Sequence, residues 1–178
     1  MGPLISQAQR LKVIAAIDKG EAEGAKLLLD GRGFRHPMHP EGYFLGPTLF
    51  SAVTKEMSIY QEEIFGPVLI VLQVPTFAAA LNLVNTNQYG NGTAIFTQDG
   101  GSARAYVQQV KVGMVGINIP IPVPVVSHPF GGWKRSAFGD CSMHGTQSIN
   151  FYTRLKTVTS KWLTTSALSS AFVMPTHE

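Results

Sequence analysis

A repeating order of secondary-structure patterns between residues 68 and 119 constrains the fold of this 178-residue chain more than any other feature. Residues 68–74 are nearly all apolar, which is typical of a strand buried on both faces of a parallel sheet. Residues 93–97 and 115–119 are two further strand-like runs, and the segments between the runs carry apolar residues at helical spacing. This order of strand, helix, strand, helix and strand predicts an α/β fold with a parallel sheet flanked by helices.

The first part of the chain predicts one helix and two strands. Ser6 and Gln9 have the spacing of a capping box, in which each side chain satisfies a backbone N–H of the other residue at a helix start. Gly24 is placed to end that helix. Residues 25–29 and 43–50 then predict strands, and the loop between them is rich in glycine and proline.

The end of the chain predicts a partial helix, a strand and a tail. Residues 140–152 predict a segment that is helical in part. Residues 153–162 form a β-branched run with interleaved lysine and arginine, which is typical of an exposed edge strand. Residues 163–178 are rich in serine and threonine and predict a tail.

Composition excludes several classes of protein. The 14 basic and 11 acidic side chains give a net charge of +3, and no run of lysine or arginine builds a nucleic-acid-binding patch. The long charge-free stretches are interrupted by proline and glycine, so they do not predict a membrane span. Cys141 is the only cysteine, which indicates a reducing compartment. Charged residues make up 14%, against the usual ~25%, which predicts a face covered by something outside this chain.

Three local patterns have features of functional sites but predict ordinary structure. Cys141 follows Asp140 and has no basic neighbour, and a nearby carboxylate disfavours the thiolate that a nucleophile needs. His36 and His39 have metal-ligand spacing but flank prolines in a loop, so no metal site is predicted. Residues 90–92, Gly-Asn-Gly, precede a strand, whereas a dinucleotide fingerprint follows one, so they predict a turn.

The most informative segment is residues 61–67, Gln-Glu-Glu-Ile-Phe-Gly-Pro. Two adjacent carboxylates lead through an aromatic residue into a Gly-Pro turn, directly before the predicted strand at residues 68–74. The pattern thus puts acidic groups at the start of a strand. Considered alone, a solvated turn is its simplest interpretation.

The same segment resembles the E-E-I-F-G-P motif of the aldehyde dehydrogenase superfamily. Other segments resemble motifs of that family in the expected order, and together they cover nearly the whole chain. They are residues 1–6 (G-P-L-I-S at a helix start), 43–49 (a strand with Gly-Pro-Thr), 129–134 (P-F-G-G-W-K) and 152–158 (Y-T-R-L-K-T-V).

Within the superfamily the chain resembles most the CoA-acylating branch that acts on methylmalonate semialdehyde. The features that carry this resemblance are residues 118–124 (N-I-P-I-P-V-P), 138–140 (F-G-D) and the ending at 151–162. The resemblance implies an oxidoreductase that uses NAD as cofactor and CoA as co-substrate. It would oxidise malonate and methylmalonate semialdehydes to acetyl-CoA and propionyl-CoA, with loss of CO2.

The resemblance also implies roles for individual residues. Glu63 would bind the hydroxyls of the nicotinamide ribose, which suits a carboxylate because it can accept two hydroxyl hydrogen bonds. Phe65 would pack near the nicotinamide ring. Phe130 would line the aldehyde pocket, and Asn118 and Ile119 would lie on the strand that leads to it, with a structural role as the alternative for Asn118.

The family's dinucleotide domain, general-base glutamate, nucleophilic cysteine and substrate-binding arginine find no match in these 178 residues. We therefore expect residues 1–152 to be a later part of the catalytic domain, followed by an oligomerisation strand at 153–162 and a tail at 163–178. The isolated chain is expected to be inactive and to supply no catalytic residue. The alternative is a truncated, non-catalytic module that forms a homo-oligomer through residues 153–162. The expected location is the cytoplasm, or the mitochondrial matrix in a eukaryote.

Overall fold

The computed structural model describes residues 1–125 and 127–162, so the predicted tail at 163–178 lies outside the described residues. The chain divides into two compact units, Met1–Asn82 and Leu83–Glu178. Among the described residues, no helix has both the length and the apolar character that a membrane span requires.

The first unit begins with helix α1 (Gln7–Ala22). The hydroxyl of Ser6 accepts a hydrogen bond from the Gln9 backbone N–H at 3.1 Å, which confirms the predicted helix start. After the helix ends, Gly24 adopts a φ of +98°, a left-handed conformation that glycine tolerates without steric cost. The predicted end of the helix is therefore also confirmed.

The sheet of the first unit has three strands in the order β1, β2, β3. These are β1 (Lys26–Leu29), β2 (Thr48–Ser51) and β3 (Val68–Ile70), and the short helix α2 (Ser58–Gln61) lies between β2 and β3 in the chain. Strands β2 and β3 are parallel, whereas β1 and β2 are antiparallel. In this sheet the predicted parallel pairing is found between β2 and β3 only, because no helix connects β1 to β2 and a loop suffices to join antiparallel strands.

Burial in this sheet also differs from the prediction. Leu69 in β3 is 63% exposed, so residues 68–74 do not form a strand buried on both faces in this chain. The core lies instead between α1, α2 and β2, where Val13, Ile17 and Phe50 are fully buried. Gly20 of α1 allows Ile59 of α2 to approach closely, since a Cβ at Gly20 would lie 2.7 Å from Ile59 Cγ2.

Arg32 ties α1 to the loop that follows β1. Its guanidinium donates to the carboxylates of Asp18 and Glu21 on α1, and to Asp30, with Nη2 to oxygen distances of 3.0 Å for Glu21 and 2.7 Å for Asp30. The hydrogen bond between the two side chains lowers the pKa of Asp30 and raises the pKa of Arg32. A planar guanidinium is suited to this role because it offers five donors in a fixed fork.

The second unit contains a strand, helix, strand element as predicted. Strand β5 (Gly92–Ile95) and strand β6 (Met114–Ile117) are parallel, with helix α4 (Gly100–Gln109) between them in the chain. Asp99 caps α4 by accepting from the backbone N–H groups of Gly101 and Ser102. Tyr106 of α4 is buried, as are Val110 and Val112, which follow the helix.

Further elements complete the described part of this unit. Helix α3 (Phe77–Thr86) spans the boundary between the two residue ranges, and the Thr76 hydroxyl caps it, accepting from the Ala79 N–H at 3.1 Å. Strands β4 (Tyr89–Gly90) and β7 (Trp133–Lys134) form an antiparallel pair that the sequence did not predict. The described residues thus form three small sheets of mixed direction rather than one parallel sheet.

The segment after β7 contains a 3-10 turn (Gly145–Gln147) followed by helix α5 (Ser148–Tyr152), which confirms the partial helix predicted at 140–152. Residues 153–162 have no regular secondary structure, and Leu155 and Trp162 are 98% and 91% exposed. A strand requires a hydrogen-bonded neighbour, and these residues have none in the part of the chain that the structure describes. Pairing of this segment with another chain stays a prediction.

Candidate functional site

Glu63 and Phe65 lie on the exposed turn between α2 and β3. The side chain of Glu63 is exposed, and Phe65 is 73% exposed, so neither contributes to the core of the first unit. The backbone of Phe65 has a φ of +51°, a left-handed conformation that is unfavourable for a bulky residue. Such a conformation persists only where the surrounding structure holds it.

Helix α1 holds this turn in two ways. The side-chain amide of Gln9 donates to the backbone carbonyls of Ile64 and Phe65, at 3.1 and 3.2 Å. Gly66 packs on the fully buried Val13, since a Cβ at Gly66 would lie 2.7 Å from the Val13 methyl groups. The predicted reciprocal half of the capping box is not formed: the bonds of the Gln9 side chain run from its amide nitrogen to the carbonyls of the turn, and none joins its oxygen to the Ser6 N–H.

Glu63 lines a cleft of about 180 Å³ between α1 and α2. Glu62, Lys12 and Lys19 line the same cleft together with alanine and isoleucine side chains, so charged residues border a largely apolar surface. Lys19 lies 3.8 Å from the carboxylate of Glu23, which partly balances its charge. The volume is below the ~300 Å³ of an ordinary small-molecule pocket, so the cleft suits one part of a larger ligand.

The motifs in the sequence do not indicate Lys12 and Lys19, the two lysines of this cleft. Their separation of seven residues, two helical turns, puts both on one face of the helix. The spacing therefore indicates that the two lysines share a face of α1. Only the packing of α2 on α1 reveals that Glu63 lines the same cleft.

Phe130 lines a second cleft, in the second unit. This cleft has a volume of about 650 Å³, within the range of small-molecule pockets, and its wall includes Phe130, Trp133, Lys134 and Cys141. Phe130 is half-buried. Cys141 is exposed on this wall, beside Asp140.

Close backbone packing and one lysine hold the Phe130 loop. A Cβ at Gly113 would lie 1.9 Å from the carbonyl oxygen of Gly131, so only glycine permits this approach. The ammonium of Lys134 donates to the carbonyls of Val84, Asn85 and Asn87 at 3.0–3.2 Å, at the end of α3. Burial, followed by repulsion from Lys111, lowers the pKa of Lys134. The lysine of the P-F-G-G-W-K segment is therefore an anchor of the loop.

Asn118 connects the ends of β5 and β6. Its side chain accepts from the Thr97 N–H at 2.9 Å and donates to the Thr97 carbonyl at 3.1 Å. These bonds favour the structural role that the sequence left open for Asn118. Asn118 and Ile119, which is 56% exposed, do not line the Phe130 cleft, so their contact with a substrate stays a prediction.

Positive backbone angles coincide with the motif segments. Four described non-glycine residues have a positive φ, and three of them are Phe65, Asn118 and Lys134. Each lies in a segment that carries the family resemblance. Backbone strain of this kind concentrates at functional positions, so it supports a functional interpretation of these segments.

The structure shows a ring stack at the two histidines that have metal-ligand spacing. The rings of His36 and His39 lie 5.2 Å apart between centroids, and His36 also stacks on Phe44 at 4.5 Å. Within residues 1–125 and 127–162, no three histidine, cysteine or acidic side chains come together as a metal site would require.

Comparisons with known proteins agree with the motif segments. A sequence model of the aldehyde dehydrogenase family matches residues 1–158. The malonate-semialdehyde dehydrogenase of Pseudomonas aeruginosa is 53% identical over 162 residues, covering 91% of this chain and 33% of that protein. The acylating, mitochondrial methylmalonate-semialdehyde/malonate-semialdehyde dehydrogenase of Bos taurus is 51% identical, covering 99% of this chain and 33% of that protein.

Solved structures give the same result. A Sinorhizobium meliloti protein described as a methylmalonate-semialdehyde dehydrogenase, in complex with NAD, superposes with a TM-score of 0.87 and 48% identity. The match covers 92% of this chain and 33% of that one, so the chain spans about a third of the length of its relatives. Because the family model covers most of its residues, the chain belongs to the aldehyde dehydrogenase family.

Proposed function

We propose that this chain forms part of an NAD-dependent, CoA-acylating dehydrogenase of malonate and methylmalonate semialdehydes. The observation that carries the proposal is the cleft that Glu63 and Lys12 both line, next to a strained turn held by α1. The names of the most similar relatives support the substrate class. The activity belongs to the whole protein, of which residues 1–152 would be a part of the catalytic domain.

The residues of the first cleft fit the nicotinamide ribose of NAD. The Glu63 carboxylate offers two oxygens to a pair of neighbouring hydroxyls, and the Lys12 ammonium suits a phosphate oxygen. The exposed ring of Phe65 offers a flat apolar face to a planar ring. NAD, when bound, supplies the acceptor for hydride. The contribution of this chain is to orient the cofactor through Glu63 and to limit its movement through Phe65.

The Phe130 cleft suits the aldehyde. Its aromatic side chains Phe130 and Trp133 offer apolar contact to a short acyl chain, and its volume of about 650 Å³ admits a small substrate. Ile119 and Asn118 would contribute to the approach of the substrate. CoA enters the proposal as co-substrate because the Bos taurus relative is named acylating.

The 178 residues by themselves are proposed to be inactive. Cys141 is their only cysteine, and the residues next to it in the sequence include no basic side chain that could act as its partner. The second candidate function is a non-catalytic module that forms a homo-oligomer through residues 153–162. The high exposure of Leu155 and Trp162 favours this candidate, since exposed apolar patches on a protein surface indicate an interface.

A chimeric enzyme tests the proposed function. Residues 1–162 of this chain would replace the matching third of the Pseudomonas aeruginosa relative, and NADH formation from malonate semialdehyde, NAD and CoA would be measured. The proposal predicts turnover by the chimera and none by the 178-residue chain. A folded but inactive chimera would contradict it. Turnover by the chain alone that disappears in Cys141→Ala would refute its predicted inactivity.

A further inference from the structure

We propose that His144 is a positioning residue for Phe130, and that it sets the width of the acyl pocket in which Phe130 lies. The proposal rests on the proposed function, because it deepens the role given to the Phe130 cleft. Its starting point is a stack of two rings. The centroids of His144 and Phe130 lie 4.3 Å apart, with only 12° between the ring planes.

The backbone of Phe130 is held by the same segment of chain that carries His144. The Ser142 hydroxyl donates to the carbonyl of Phe130 at 2.8 Å and accepts from the backbone N–H of His144 at 3.2 Å. The backbone N–H of Ser142 donates to the side-chain carbonyl of Gln147 at 3.1 Å. Residues 142–147, which we call the supporting turn, therefore hold both the ring and the carbonyl of Phe130.

The position of His144 follows from the residue after it. Gly145 has a φ of +64°, and a Cβ there would lie 2.6 Å from the backbone nitrogen of Pro129. The supporting turn consequently packs backbone to backbone against the residue that precedes Phe130. This close packing fixes the backbone next to His144 against the segment that carries Phe130.

The two rings have different positions relative to the cleft, and their proposed roles differ accordingly. Phe130 lines it, whereas His144 does not, so His144 reaches the cleft only through the Phe130 ring. A phenylalanine without its stacking partner can rotate about its side-chain bonds, and the wall that it forms then moves. An acyl chain that packs on this wall would lose part of its binding in the ground state and the transition state alike.

The first measurement is made on the 178-residue chain, by NMR with ¹³C-labelled phenylalanine rings. The signal of Phe130 is identified by its loss in Phe130→Leu. His144→Ala should shift this signal, because the ring current of the imidazole is removed. His144→Phe should keep the ring ordered, and the control His128→Ala, two residues before Phe130, should leave the signal in place. An unchanged Phe130 signal in His144→Ala would overturn the proposal.

The second measurement uses the chimeric enzyme described above. His144→Ala should raise KM for malonate semialdehyde about tenfold, the size of a lost aromatic contact, with little change in kcat or in KM for NAD. His144→Phe should restore KM. A purely structural role predicts the opposite, a lower kcat from a smaller active fraction with unchanged KM, and that result would overturn the proposal. An inactive parent chimera would refute the proposed function, while the ring signals would still decide whether His144 orients Phe130.

Discussion

The side-chain amide of Gln9 donates a hydrogen bond of 3.2 Å to the backbone carbonyl of Phe65, 56 positions later in the chain. The same amide donates to Ile64 at 3.1 Å. Helix α1 therefore determines where the turn that carries Glu63 lies, and it contributes Lys12 to the same cleft. The helix start and the acidic turn, which are separate motifs in the sequence, form one structural element.

Gln9→Ala should loosen the turn while leaving α1 in place. The variant loses two hydrogen bonds, each worth about 1 kcal/mol net, but retains the Ser6 cap, which uses the backbone N–H of residue 9. We expect faster amide hydrogen exchange in residues 62–67 and little change in the middle of α1. Gln7→Ala, an exposed position in the first turn of the helix, is the matched control. Equal exchange rates in the two variants would show that Gln9 does not hold the turn.

Gly113→Ala should destabilise the second unit, whereas Gly131→Ala should not. A Cβ at Gly113 would meet the Gly131 carbonyl oxygen at 1.9 Å, while a Cβ at Gly131 would have no heavy atom within 4 Å. Because the clash involves backbone, no side chain can rotate to relieve it, and overpacking of this kind costs about 1–3 kcal/mol. Urea unfolding of the two variants is the measurement. Similar midpoints would mean that the Phe130 loop can move away from β6.

Acid should weaken the link between α1 and the loop after β1. The folded-state pKa of Asp30 lies below its unfolded value because of the Arg32 hydrogen bond. The bond between Asp30 and Arg32 therefore stabilises the folded chain at pH values above the unfolded-state pKa of Asp30. This stabilisation is lost as the pH falls through the folded-state pKa of Asp30. Thermal unfolding of Arg32→Met across this acidic range should show a smaller dependence on pH than the unchanged chain. Arg32→Lys is the control, because it keeps the positive charge but removes the planar fork of donors with which a guanidinium bridges three carboxylates. Identical pH profiles for all three proteins would count against the link.

The 178-residue chain should not be a monomer. Residues 153–162 have exposed apolar side chains and no strand partner in the described part of the chain, and free backbone groups of a β-prone segment can pair with another chain. We expect light scattering to give at least the mass of a dimer, and deletion of residues 153–178 to abolish the association. A mass of 19.3 kDa at all concentrations would refute the prediction.

Local signals in the sequence predicted the parts of the fold that depend on neighbouring residues. The cap at Ser6 and the parallel pair β5 and β6 are confirmed because each depends on a short stretch of chain. The antiparallel pairing of β1 and the three carbonyls bound by Lys134 depend on residues far apart in sequence, which periodicity does not report. The candidate site divides in the same way. Glu63 stands out in its motif, whereas Gln9, Lys12 and His144 gain their roles only through packing.

The most direct test of the central claim compares Glu63→Gln with Glu56→Gln in the chimeric enzyme. Glu56 is an exposed carboxylate near Lys55 and does not line the Glu63 cleft, so its replacement controls for the loss of one charge. Single-turnover NADH formation is the measurement. If Glu63 orients the nicotinamide ribose, Glu63→Gln should slow hydride transfer on the order of 100-fold, while Glu56→Gln should react at the unchanged rate. Equal rates in the two variants would contradict the assignment of this cleft to the cofactor.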